Sequence, residues 1–152
     1  MDMIKKSIYC SGSIEFSKDP DTWRNKMFKE LKKDYNVIIP KAAFCPYTKD
    51  EEKYKEWIKE HFIIPDIEDV LKAEYFFVKL DKSVARGSGT YGELTLAGYL
   101  NKLIVYFMDD IKPTEIPGWS LGCLANAVKV ESIDDAIKYY KILASNTIIG
   151  KL

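Results

Sequence analysis

The residues able to do chemistry gather in one stretch, Arg86-Gly87-Ser88-Gly89-Thr90-Tyr91-Gly92-Glu93. Gly87, Gly89 and Gly92 spell G-x-G-x-x-G, the pattern of dinucleotide-binding turns and of kinase phosphate loops. The kinase reading fails, because no lysine strand, H-R-D loop or D-F-G follows and 152 residues cannot hold that fold. A dinucleotide fingerprint places its first glycine directly at the end of the chain's first strand. Here Asp81 to Arg86 intervene, and the strand ahead is the third. The remaining letters fit a helix start. Thr90-Tyr91-Gly92-Glu93 matches the S/T-x-x-E capping box, in which Glu93 folds back onto the Thr90 amide. Spacing alone favours that box.

Other polar residues carry equally plain readings. Asp66 follows Pro65 and is placed to cap a short helix. Tyr9 reads as a strand aromatic in the core, and Asp81 as a loop residue at a strand end. His61, the single histidine, falls on the apolar face of a helix, where such a residue is structural. Cys10, Cys45 and Cys123 are odd in number and lack C-x-x-C spacing, which argues against a disulfide framework or a zinc site. The run from 49 to 60 is a solvated helix face with i,i+4 charge pairs.

The elements that must position these residues alternate. KSIYC (6–10) is a short strand entering a small turn, Ser11-Gly12-Ser13. An amphipathic helix over about 21–34 carries Trp23, Met27, Leu31 and Phe28 on one face. NVII (36–39) is a second strand, stopped by Pro40. A loop over 41–48 leads to a charged helix with Tyr54, Trp57, Ile58, His61 and Phe62 at helical spacing. Pro65 restarts it as a short helix bearing Ile67, Val70 and Leu71. YFFVKL (75–80) is the third strand and LIVYF (103–107) the fourth, with the helix ELTLAGYLN between them. A two-proline loop with Trp119 leads to a fifth strand near 127–131, and Ser132 opens the last helix. Strands alternating with helices predict a single-domain three-layer sandwich of the flavodoxin or Rossmann kind, with a mostly parallel five-stranded sheet. In such sheets ligands collect at the carboxyl ends of the strands.

Composition narrows the function classes. Twenty-three basic and 23 acidic residues cancel, so no net field draws the chain to nucleic acid or a membrane surface. The start, MDMIKKSIYC, lacks an apolar leader and no run approaches a membrane span, so the expected setting is the cytoplasm.

Three separated pieces together resemble the nucleoside 2-deoxyribosyltransferase family and the related 2'-deoxynucleoside 5'-monophosphate N-glycosidases. They are IYCSGSIEF, Asp66 followed by IEDVLKAEYFFVKLD, and SGTYGELTLAGYLNKLIVYF; VKVESIDDAIKYY fits the last strand and helix. The stretch IEFSKDPDTW-R is similar to a subgroup with I-E…D…W-R after the first strand. The likeness spans about residues 6–140 and implies one family-like domain over residues 1–152. It implies Glu93 as a nucleophile at C1' of a deoxyribose, with the carboxylate held ionised by a first-turn position at the positive end of its helix. Asp66 would sit near the sugar and protonate the departing base, and the Tyr9 hydroxyl would orient the nucleophile. Ser11, Gly12, Ser13, Asp81, Ser88, Gly89 and Thr90 would line the substrate. The implied partners are a nucleoside or nucleotide, a free nucleobase and further copies of the chain. No cofactor or metal is implied.

Two positions depart from the family. Gly87 stands where many members carry an aspartate that handles the base proton, which leaves that task to Asp81 or to a different arrangement. Glu15 stands where the monophosphate enzymes carry an arginine and would repel a 5'-phosphate, so a nucleoside is favoured. Transfer and hydrolysis differ only in what resolves the intermediate, a base or water. The alternative from another class is a non-catalytic module that binds or sequesters a nucleotide on the same fold.

Overall fold

The computed structural model describes residues 4–149, and side chains as far as residue 146. Five strands form one sheet: β1 (Ser7–Ser11), β2 (Asn36–Ile38), β3 (Tyr75–Leu80), β4 (Leu103–Met108) and β5 (Val128–Val130). Their order is β2-β1-β3-β4-β5 and every pairing is parallel, a flavodoxin-like arrangement. The chain runs outward from β1 to β2, then crosses back to β3 on the other side of β1. The order therefore reverses between β1 and β3, where the register sets Tyr9 beside Phe76 and Cys10 beside Phe77.

Strands β1 and β3 are buried on both sides, which is why their apolar runs are nearly continuous. Along β1 and β3 side chains alternate between two cores. Ile8, Cys10, Tyr75 and Phe77 face one core, under helices α1 (Thr22–Leu31) and α6 (Ile133–Ile149). Tyr9, Phe76, Val78 and Leu80 face the other. That second core is closed by α3 (Ile64–Lys72), which contributes Val70, and α4 (Gly89–Tyr99), which contributes Leu94 and Ala97.

The expected strands are all present, and the differences lie in the helices. On α1 the buried set is Trp23, Arg24, Met27 and Leu31; Phe28 is 44% exposed and Arg24 takes the inward place. Helix α2 (Glu51–Ile58) buries no residue, and Tyr54 and His61 are exposed rather than turned to the core. His61 stacks on Trp57 at 4.3 Å between ring centres. Pro65 does not restart a separate helix. A π-helical turn, Lys59–Ile63, joins α2 directly to α3, and the Ile64 amide donates to the Lys59 carbonyl. The wider turn gives the Pro65 ring room against the preceding carbonyls and absorbs its missing N–H. Asp66 is consequently in the first turn of α3, while Ile63 holds the cap position. Of the three apolar residues named on α3, only Val70 is buried; Ile67 and Leu71 are 40% and 48% exposed. The two-proline loop also contains a short helix, α5 (Gly118–Cys123). Among the described residues no helix is long and apolar enough to cross a membrane.

Candidate active site

The site is assembled at the switch point between β1 and β3, where ligands of such sheets bind. Period-two alternation on β1 sends Tyr9 and Ser11 to the α3/α4 side. Both are fully buried, and Tyr9 stacks against Phe76 at 5.8 Å with 13° between the rings. Their hydroxyls converge on one carboxylate. Tyr9 donates to Oε2 of Glu93, and Ser11 donates to Oε1 at 3.0 Å.

Glu93 therefore makes no capping box. Helix α4 begins at Gly89 with Ser88 in the cap position, two residues earlier than a box capped by Thr90 requires, and no side chain caps it. That start also corrects the dipole argument. Glu93 is the fifth residue of α4, beyond the first turn, which contains no acidic residue. The influence of a helix end fades within its first turn, so it does not hold this carboxylate ionised. Burial acts the other way and pushes the Glu93 pKa up from the ordinary 4.5 to about 7. The Tyr9 and Ser11 hydrogen bonds and the positive charge of Arg24 work against that rise, while the charge of Asp66 adds to it.

Asp66 is partly buried on α3, and burial together with neighbouring Asp69 lifts its pKa to about 6. Its field reaches both Glu93 and Tyr9, whose phenol is held well above the ordinary range, chiefly by burial. The structure thus brings Tyr9, Ser11, Asp66 and Glu93 together on one side of the sheet.

The other predicted residues surround this group unequally. Gly12 is buried where a Cβ would lie 2.9 Å from the Trp23 ring and 3.4 Å from the Lys79 carbonyl, so the turn admits no side chain. Ser13 is partly exposed in the same turn. Ser88 and Gly89 are exposed at the start of α4, and Thr90 is buried. The amides of Gly89, Thr90 and Tyr91 precede the first hydrogen bond of the helix and have no partner within it. Asp81 is committed elsewhere. Burial tends to raise its pKa, but Lys79 at 2.8 Å and the amide and hydroxyl of Ser83 prevail and lower it. Lys79 also reaches Asp109 at 3.3 Å. A carboxylate held ionised in this way suits an acceptor, not a proton donor.

None of these glycines adopts positive φ, so the stretch does not rely on the left-handed backbone of a phosphate loop. Gly87 is explained by Phe16. A Cβ there would lie 3.2 Å from two Phe16 ring atoms, and Arg86 stacks over the same ring at 4.9 Å. The turn after β1 and the turn before α4 are thereby joined across the site. Trp119 is 75% exposed and its indole N–H donates to Thr95 at 3.1 Å.

Arg24 ends the I-E…D…W-R stretch, to which the sequence assigned no role. Its guanidinium is buried and donates to three main-chain carbonyls, those of Cys10, Gly12 and Pro20. The signal available was a single charged letter beside Trp23 within an apolar stripe.

No protein-family model matches the sequence, and no curated protein does. Solved structures share the fold. The Clostridium botulinum CMP N-glycosidase BcmB aligns over 90% of this chain and 99% of its own, with a TM-score of 0.54 and 11% identity. The TIR domains of the activated Roq1 resistosome, which directly recognises the pathogen effector XopQ, align over 80% and 69%, with a TM-score of 0.50 and 12% identity. At these identities the likeness establishes the fold alone.

Proposed function

We propose that this chain is an enzyme that cleaves the N-glycosidic bond of a 2'-deoxynucleoside or its 5'-monophosphate through a covalent bond to Glu93. The observation that carries the proposal is the turning of Glu93 away from its own helix start, onto two buried hydroxyls beside a second carboxyl with a raised pKa. A capping or surface glutamate has no use for that environment. The structural likeness to a CMP N-glycosidase adds weight, because the same fold there supports cleavage of a nucleotide's glycosidic bond.

The step balances with the groups present. Both carboxyls are raised, so near neutrality the pair holds a proton. In the reactive form Glu93 is ionised, with Tyr9 and Ser11 fixing its two oxygens, and Asp66 carries the proton. Glu93 attacks C1', the C1'–N bond breaks, and its electron pair leaves with the base, which takes the Asp66 proton. Water or a second base then attacks C1', the ester to Glu93 breaks, and the proton of the incoming group returns to Asp66. The partly buried carboxylate also faces the positive charge that builds on the sugar in both steps.

The test is incubation with each deoxynucleoside, each deoxynucleotide and CMP, with and without an acceptor base, followed by chromatography of free base. Release or exchange is expected, together with an intact-mass adduct of the substrate's sugar, with its 5'-phosphate where it has one, that Glu93→Ala lacks. No turnover of any substrate, combined with thermal stabilisation by a nucleotide, would instead favour a binding module.

A further inference from the structure

A buried cation without an anionic partner is costly, and α1 could have used an apolar residue at the Arg24 position. Among the described residues no carboxylate lies within ion-pair distance of Arg24, which is 1% exposed. Its bonds go to carbonyls instead: Nε to Cys10 at 3.1 Å, Nη2 to Gly12 at 2.8 Å and Nη1 to Pro20 at 2.6 Å. Cys10 and Gly12 flank Ser11, so one rigid guanidinium fixes the peptide groups on both sides of the residue that donates to Glu93. The Trp23 ring supports the guanidinium at 4.4 Å and also fills the space beside Gly12. An arginine fork matches this three-carbonyl seat; a lysine ammonium does not.

The charge has an address as well. The groups that face it are Cys10 and Tyr9 from β1, Glu93 from α4, Asp66 from α3 and Asp21 at the start of its own helix. Two of these, Glu93 and Asp66, are the carboxyls assigned to the chemistry.

We propose that Arg24 is a positioning residue: it locks the Cys10–Gly12 turn so that Ser11 aims the Glu93 carboxylate, and it sets a positive charge beside the Glu93–Asp66 pair. The role rests on the reading of Glu93 as nucleophile, but it can be measured without a substrate. Carbon-13 NMR of the Glu93 side chain, assigned through Glu93→Gln, follows its titration in Arg24→Met and Arg24→Lys. Arg24→Met is expected to raise the midpoint, because the offsetting charge is gone. Arg24→Lys keeps the charge, so its midpoint stays near wild type. Its kcat falls about tenfold with little change in KM, because aim and not binding is lost. A wild-type midpoint in Arg24→Met, or wild-type kcat in Arg24→Lys, overturns the proposal.

Should either variant fail to fold, the unsubstituted protein still decides. The nitrogen-15 signal of the Arg24 Nε must shift with the Glu93 midpoint and lose that inflection in Glu93→Gln; a flat signal rejects the role. Failure of every substrate to turn over would reject the proposed function while these titrations still decide Arg24.

Discussion

Two helix starts in this molecule use nearly the same letters to opposite ends. At α6, Ser132 precedes Asp135 by three residues, and the Ser132 hydroxyl accepts from the Asp135 amide at 3.0 Å. At α4, Thr90 precedes Glu93 by three residues, yet no side chain caps the helix and Glu93 turns inward to Tyr9 and Ser11. The α6 start satisfies its own backbone and leaves Asp134 and Asp135 in the first turn, exposed and favoured by the dipole. The α4 start leaves its cap unmade and carries a carboxyl into a region where ionisation is unfavourable. Local consistency is kept where the helix only supports the fold. It is given up at the point where the sheet order reverses, and that is the pattern expected of a functional site.

The sharpest way to break the contrast is Glu93→Gln. Loss of the nucleophile should lower base release by about four orders of magnitude, read by chromatography of the free base. Stability should move the other way. With its pKa raised from 4.5 to about 7, Glu93 keeps a proton in the folded state that the unfolded chain has already released. Stability therefore falls as pH rises across that window and stays reduced above it. Glutamine is free of this penalty, so at pH 8 the variant should gain roughly 3 kcal/mol, a rise in Tm of about 9 °C, and at pH 4 nothing. A variant no more stable than wild type at pH 8 would falsify the raised pKa.

Asp66→Asn should act next in size, at about 10²- to 10³-fold in kcat, because the leaving base loses its proton donor. The Glu93 titration midpoint should also move to lower pH, since the Asp66 charge helps to raise Glu93. An unchanged midpoint would mean that the two carboxyls do not sense each other. Tyr9→Phe is the milder probe, at about 10- to 100-fold. It removes a hydrogen bond that favours the ionised form, so the Glu93 midpoint should move to higher pH, opposite in sign to Asp66→Asn.

How much of this was legible depends on where the determining partner lies in the chain. The strands were legible because parallel strands buried on both sides must be apolar throughout, as in Tyr75–Leu80. The grouping of Tyr9, Asp66 and Glu93 came from a resemblance carried by separated motifs, and the sheet order supplies the physical reason they meet. Other features hid for definite reasons. Glycines at both ends of α5 weaken its local signal, so the helix read as loop. Pro65 read as a restart because the π turn that accommodates it involves backbone spacing, not side-chain type. The first-turn position of Glu93 failed because a capping-box reading sets the helix start by spacing, whereas the chain starts at Gly89. Arg24 was the hardest, since its partners are carbonyls and every residue has one.

The smallest expected effect separates the two helix starts most directly, through one matched pair of serine substitutions. Ser132→Ala removes a cap bond that the structure makes, so it should lower stability by about 1 kcal/mol, a fall in Tm of about 3 °C, and leave kcat and KM alone. Ser88→Ala removes a side chain that makes no cap bond, so its Tm should match wild type. Its effect should appear in KM instead, at about two- to fivefold, if the exposed start of α4 is held open for the sugar or phosphate. Equal losses of stability at the two serines would show that α4 is capped in solution as α6 is. The contrast on which the catalytic assignment leans would then disappear at one of its ends.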